Sequence, residues 1–402
     1  MRRSWSHLDG MSTRADARSL TDLPSRASCP VFWSPMTLDI HTVSSRQDWR
    51  FFLDLPRHLY QEDPNYVQPL RAIVRQRLQR ADLTLIVAVR DGRPVGRITV
   101  MRDRLHDKHK EENVAFCGFF EAIDDREVAF GLFDAASQCA RELGADTLRG
   151  PRGLTRIDET GILVEGRERA PFLAGHHPSF YPNFFDEAGF TPHHDVLAYD
   201  VSIVDDTGKA RPLPEPLQER AAAVDIDGLR VDSCSYRNLW EDLGTAHTVM
   251  VEGFRDVPEN TPIPKGQFLA MGAGLLGFTN RHMLQLATVH GEPAAFALCF
   301  PEMNEALIYA RGRVFPFGIG RFGVGLRRIR TASFKLLGVC PEYRGTGLHA
   351  KVIAHAIDGV KRAGYHRLEA SLIDERNGPM RHIVESSGMD IYRRYRVYER
   401  PV

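Results

Sequence analysis

The chain repeats itself at a fixed interval. Residues 85–100 (LIVAVRDGRPVGRITV) and 284–299 (LQLATVHGEPAAFALC) each set apolar runs on either side of a central turn, Asp91-Gly92-Arg93-Pro94 in one and His290-Gly291-Glu292-Pro293 in the other. A glycine that tolerates positive φ at such a turn predicts a β-hairpin in both places. A second pair, FFDEAGFTPHHDVLAYDV (184–201) and IVESSGMDIYRRYRVYER (383–400), reads as a helix end closed by glycine and followed by a strand. Both pairs are separated by 199 residues. A third pair, CARELGADTLRG and VKRAGYHRLEA, shows helix, glycine and strand at a different spacing. A repeat of this kind restricts the fold to two copies of one α/β unit with a mixed sheet, in tandem.

Length agrees, because 402 residues exceed the roughly 250 to 300 at which single cores stop growing. The Pro-rich, charged stretch over 205–225 reads as a linker, which places the domains at 37–204 and 226–402. Residues 1–36 are rich in Ser and Arg, lack any sustained period and are expected to be a disordered extension.

Lys plus Arg (52) balance Asp plus Glu (52), so bulk charge points to no nucleic-acid partner. No apolar run reaches the roughly 18 residues of a membrane span and no secretory signal is evident, which predicts a cytoplasmic protein without a membrane partner. Six scattered cysteines lack CxxC spacing and predict neither a disulfide framework nor a zinc site. His176-His177 and His193-His194 are unsuited to metal, since neighbours on a strand point to opposite faces. Two G-x-G-x-x-G matches, GAGLLG (272–277) and GIGRFG (318–323), lack the βαβ setting of a dinucleotide site.

The chemistry concentrates in LLGVCPEYRGTGLHAKVIAHAIDGVKRAGY (336–365). A strand pattern ends near Cys340, and Val352, Ile353, Ile357 and Val360 fall at helical spacing. The turn between them presents bare backbone N–H groups at the positive end of a helix, a site for phosphate oxygens. This strand, V-x-P-E-Y-R-G-x-G turn and helix resemble the pyrophosphate-binding motif of the GNAT superfamily, the acyl-CoA-dependent N-acyltransferases. The runs FCGFFEAIDD (116–125), RGPRGLTRIDETGILVEG (149–166) and YRRYRVYER resemble a group of bacterial two-domain GNAT proteins. His349 stands where the family pattern has its second Gly or Ala, with Ala350 one place later. In the first copy Asp124, Asp125 and Glu127 occupy the corresponding turn and would repel a phosphate, so that domain is expected to be degenerate.

The resemblance implies an acyl-CoA co-substrate, acetyl-CoA by default, and a small amine acceptor, joined by direct transfer in a ternary complex without metal. It assigns Arg344, Gly345, Thr346, Gly347, Leu348 and His349 to the pyrophosphate, a backbone N–H at Val339 to the oxyanion and Asn377 to the pantetheine arm. Many relatives place a general-acid tyrosine where this chain has Val384; Tyr392, Tyr395 or His382 are the substitutes. Glu369, Asp374 and Glu375 are candidate bases, with Glu375 preferred. The long Gly-, Phe- and Arg-rich segment 307–332 is either an acceptor-pocket wall, with Arg327, Arg328 or Arg330 meeting an anion, or a solvated hairpin. Asp158, Glu159, Glu165, His176, His177 and Tyr181 form either an acceptor site or a structural cluster. A CoA-binding pseudo-enzyme and a tRNA-dependent aminoacyl transferase of tandem type are the alternative functions.

Overall fold

The computed structural model describes residues 37–155, 158–258, 260–261, 263–276, 278–312 and 318–402. The first half runs β1 (Leu38–Thr42), α1 (Arg46–Leu59), α2 (Arg71–Leu78), β2 (Leu83–Arg90), β3 (Arg93–Arg102), α3 (Arg104–Lys110), β4 (Val114–Ala122), α4 (Arg126–Glu142), β5 (Thr147–Gly150), β6 (Ile162–Glu165), α5 (Tyr181–Glu187) and β7 (Thr191–Ser202). The second runs α6 (Glu215–Ala222), β8 (Leu229–Ser233), α7 (Leu239–Gly253), α8 (Lys265–Leu276), β9 (Leu284–Val289), β10 (Glu292–Pro301), α9 (Asn304–Ala310), α10 (Gly318–Leu326), β11 (Thr331–Val339), α11 (Leu348–Arg362), β12 (Arg367–Asp374), α12 (Gly378–Ser386) and β13 (Asp390–Pro401). The expected extension 1–36 lies outside the described residues.

Both predicted hairpins form, β2–β3 and β9–β10, with positive φ at both turn residues: Asp91 and Gly92 in one, His290 and Gly291 in the other. Side chains alternate across the sheet as the pleat requires. Leu85 and Val87 face the core under α1, while Ile86 and Ala88 face the core under α4. In the second half Phe296 packs beneath α7 and α8, and Ala295 and Ala297 pack beneath α11. Helices therefore cover both faces of the sheet.

One mixed sheet takes in both halves, in the order β1-β2-β3-β4-β5-β13-β7-β12-β11-β10-β9-β8, with β6 paired to β13. The last strand of each half has crossed to the other. β7 pairs with β12 from Arg367↔Ser202 to Asp374↔Val196, and β13 pairs with β5 from Tyr398↔Gly150 to Pro401↔Thr147. The repeat boundaries at 204 and 226 therefore do not separate two bodies; residues 38–402 form one compact unit. Nor is 205–225 a bare linker, since it contains α6, which packs on α11 through buried Leu217. No helix among the described residues is long and apolar enough to cross a membrane.

Candidate active site

Two irregularities open the sheet in the second half. β11 and β12 pair in parallel only from Thr331↔Arg367 to Phe334↔Ala370. On the β10 side of β11, Cys299 faces Phe334 while Leu298 faces Leu336, which leaves Lys335 as a bulged extra residue. On β12, Leu372 has φ +60° and the register with β7 shifts between Ser371 and Ile373. Bulges bend strands and strengthen their twist, so β11 and β12 part beyond Phe334. Every second residue of β11 past that point turns its N–H away from β10 toward the opening.

A pocket partly open to solvent begins at this opening and runs beneath α7 and α8. Its walls are apolar, among them Leu243, Phe254, Phe268, Met271, Phe296 and Phe300. Lys335, Ser371, Asp374 and Asn377 supply the polar positions at the splay. A second apolar groove, between α11 and α12, meets the cavity at Phe334 and Met380.

The phosphate-type turn follows β11 directly. Gly345 and Gly347 have φ of +81° and +83°, values that L side chains rarely adopt. The amides of Gly345, Gly347 and His349 donate to no acceptor among the described residues, whereas Leu348 N reaches Thr346 Oγ1 at 3.3 Å. Arg344 fixes the turn to the end of α7, donating to Asp256 at 2.8 Å and to the carbonyl of Gly253 at 3.1 Å. His349 is half-buried, and burial, reinforced by Arg220 of α6, pushes its pKa down, so the imidazole at this helix start is neutral near pH 7.

Behind the polar wall lies a buried cluster of which the sequence marked Glu369 but not its partners. Lys335 Nζ donates to Ser371 Oγ and lies 3.3 Å from Glu369 Oε2. Ser333 Oγ sits between Glu369 and Glu302, the latter at 3.2 Å. Glu302 also accepts from Phe172 N at 2.8 Å, a main-chain donor contributed by the first half. Burial pushes Glu302 up to about 7, with Lys335 opposing and Glu369 adding to the rise. Glu369 is 2% exposed, and its Oε1 has no hydrogen-bond partner. Tyr392 and Tyr395 on β13 lie near enough to feel the charges of Glu369 and Glu302. Burial, then the charge of Glu369, raises Tyr392, and burial pushes Tyr395 up to about 12. Both phenols are thus neutral proton donors near pH 7, and Tyr395 Oη is buried without a partner.

Other expected residues sit elsewhere. Glu375 accepts from Asp195 N at 2.8 Å and does not line the cavity. Asp374 lines it, but despite burial its ties to Arg376 and His194 hold it below the usual carboxylate range. Asn377 lines the cavity mouth while capping α12 through Met380 N at 3.2 Å. Val339 lies beyond the cavity lining, at the end of β11. Val384 is buried in the core under α11, and His382 is exposed.

The first half has filled the equivalent space. Asp125 caps α4, accepting from Glu127 N at 2.9 Å and Val128 N at 3.4 Å, so its own carboxylate takes the helix-start amides. Glu121, buried and raised above the usual carboxylate range by burial, accepts from Tyr60 at 2.7 Å and Tyr181 at 2.9 Å. The remaining polar residues pair separately: Asp158 with Arg77, His176 with Asp63 at 2.6 Å, and Glu165 with Arg394 at 3.3 Å. His177 accepts from Leu163 N at 3.2 Å and is pushed by burial down to about 3. Burial, then Asp158, pushes Glu159 up to about 7. This is a network of structural pairs rather than one convergent pocket.

No protein-family model matches the chain. Protein YghO of Escherichia coli (strain K12) is 27% identical over 393 residues, covering 93% of this chain and 99% of that protein. The bacterial ceramide synthase of Caulobacter vibrioides (strain NA1000 / CB15N) is 27% identical over 379 residues, covering 90% and 97%. Among solved structures, a tandem GNAT protein from the clavulanic acid biosynthesis pathway superposes with a TM-score of 0.53 at 13% identity, covering 91% of this chain and 98% of that one. The GCN5-related glucosamine N-acetyltransferase region of a fungal multi-domain GH3 β-N-acetylglucosaminidase gives a TM-score of 0.56 at 16% identity over 92% of this chain, which spans 38% of that longer protein. With its splayed strands, its glycine turn and these likenesses, the chain has the fold of the GCN5-related N-acetyltransferases in tandem form.

Proposed function

We propose that this protein is an acyl-CoA-dependent N-acyltransferase that moves a long acyl chain onto the amine of a long-chain acceptor. The observation that carries this reading is the apolar cavity under α7 and α8 that opens at the splay. Its apolar lining extends under two helices, farther than an acetyl group reaches, and each methylene buried against it contributes about 0.8 kcal/mol. The cavity therefore favours a longer chain than the acetyl group expected by default. The 27% identity to a bacterial ceramide synthase points the same way, because a ceramide is a long-chain amino alcohol bearing an N-linked acyl chain.

The turn at 344–349 would hold the pyrophosphate through the amides of Gly345, Gly347 and His349, and Asn377 stands where the thiol arm would pass. The amine nitrogen attacks the thioester carbonyl carbon, a C–N bond forms, and the oxyanion is held by backbone N–H groups on the unpaired edge of β11. Collapse breaks the C–S bond. The amine proton passes to Glu369, past Lys335 and Ser371, and the departing thiolate takes a proton from Tyr395 or Tyr392. The polar cluster behind the wall replaces Glu375 as the source of the base.

Turnover measured across saturated acyl-CoAs, with a long-chain amino alcohol as acceptor, tests the reading. We expect kcat/KM to rise from acetyl to long chains by at least two orders of magnitude, as about four buried methylenes provide. Preference for acetyl-CoA would reject it. Glu369→Gln should lower kcat by roughly 100- to 10,000-fold with little change in KM, as loss of a general base does. An unchanged kcat in a variant with the wild-type circular dichroism spectrum would remove Glu369 from the proton path.

A further inference from the structure

Four of the most exposed large hydrophobic side chains among the described residues belong to one region: Tyr236 (57%), Trp240 (62%), Phe278 (51%) and Val324 (50%). Contacts join the segments that carry them. Tyr236 Oη donates to the carbonyl of Thr279 at 2.8 Å, and Phe278 meets Phe322 of α10 with ring centroids 6.0 Å apart. α10 itself, GIGRFGVGL, has four glycines and one charge in nine residues, and α8, KGQFLAMGAGLL, has one charge in twelve. Scattered exposed apolar groups are ordinary, but a contiguous set with aromatic side chains marks a contact surface.

Charge identifies the partner. Segments 236–240, 278–281 and 318–330 contain Arg237, Arg281, Arg321, Arg327, Arg328 and Arg330 and no Asp or Glu, in a chain whose overall charge is balanced; Glu241 is the acid next in sequence. Aromatic side chains interleaved with arginines suit the interface of an anionic bilayer, where the rings sit at headgroup depth and the cations meet phosphates. The helices beneath are those that roof the cavity, with Leu243, Ala246, Phe268 and Met271 turned into it.

We infer that the surface formed by the start of α7, the end of α8 and α10 docks on anionic lipid bilayers, seating the cavity roof at the membrane. The contact is peripheral, and it departs from the sequence expectation of no membrane partner.

Cosedimentation of the full chain with vesicles tests this, using phosphatidylcholine alone and phosphatidylcholine mixed with phosphatidylglycerol. The wild type should pellet with the mixed vesicles and be released by salt. Trp240→Ser combined with Phe278→Ser should weaken partitioning by roughly tenfold or more. Arg237→Ser combined with Arg281→Ser should weaken it by about 30-fold on the anionic vesicles only. These side chains are exposed, so the variants should keep the wild-type melting temperature. Absence of binding by the wild type, undiminished binding by the first variant, or a protein dimer dissolved by that variant in place of vesicle binding would each overturn the inference. Vesicle binding is read without turnover, so it stands or falls separately from acyl transfer.

Discussion

Replacing Gly347 by glutamate is expected to raise the dissociation constant for acyl-CoA by roughly a thousandfold. The residue begins α11 at φ +83°, between amides that donate to no acceptor among the described residues. A carboxylate brought within about 4 Å of a phosphate costs about 4 kcal/mol at the effective dielectric of a protein surface. Strain adds to this, because a Cβ at Gly347 would stand 3.2 Å from Val224 Cγ2 and the left-handed conformation disfavours any L side chain. Gly347→Ala carries the same strain without the charge, so the difference between the two variants isolates the electrostatic part. Titration calorimetry with acyl-CoA gives the affinities, and circular dichroism verifies the fold. Equal losses in both variants would assign the effect to backbone conformation. Undiminished affinity in a folded glutamate variant would remove this turn from the phosphate site.

The second large effect is expected from closing the cavity. Ala246 on α7 is 1% exposed and lines the pocket, so Ala246→Phe sends its ring into the space that the acyl chain would occupy. If about four methylenes of a long acyl chain then find no room, about 3 kcal/mol of binding is lost, roughly 200-fold in kcat/KM. Short acyl-CoAs should be affected little, so the chain-length preference should flatten or invert. Circular dichroism should show the wild-type fold, with any loss of melting temperature no larger than overpacking costs. A uniform loss over all chain lengths would mean that the acyl chain lies elsewhere, for example in the groove lined by Ile353, Ile357 and Ile383.

Much of the fold was legible because it is written in local pattern. Gly92 and Gly291 marked the hairpins, the apolar spacing at Val352, Ile353, Ile357 and Val360 marked α11, and Gly345 and Gly347 marked the turn before it. Asp125 marked the first half as degenerate, and its carboxylate does occupy the amides of α4. Each of these features acts over a few residues and needs no distant partner. The polar cluster could not be found in that way. Lys335 comes from β11, Glu369 and Ser371 from β12, and Glu302 follows β10, and a bulge at Lys335 has no sequence signature of its own.

The sequence by itself determined the repeating α/β unit, the helix-start turn and the closure of its first copy, because backbone conformation and side-chain period are set within a turn or a strand. Only the tertiary structure decided which half each last strand joins. β7 and β13 have equivalent patterns, and either could complete either sheet. It is the packing of Val196 and Tyr395 into one shared cluster between the halves that accompanies their exchange. The same packing brings Phe172 N of the first half to buried Glu302 of the second, a convergence that follows from three-dimensional packing alone.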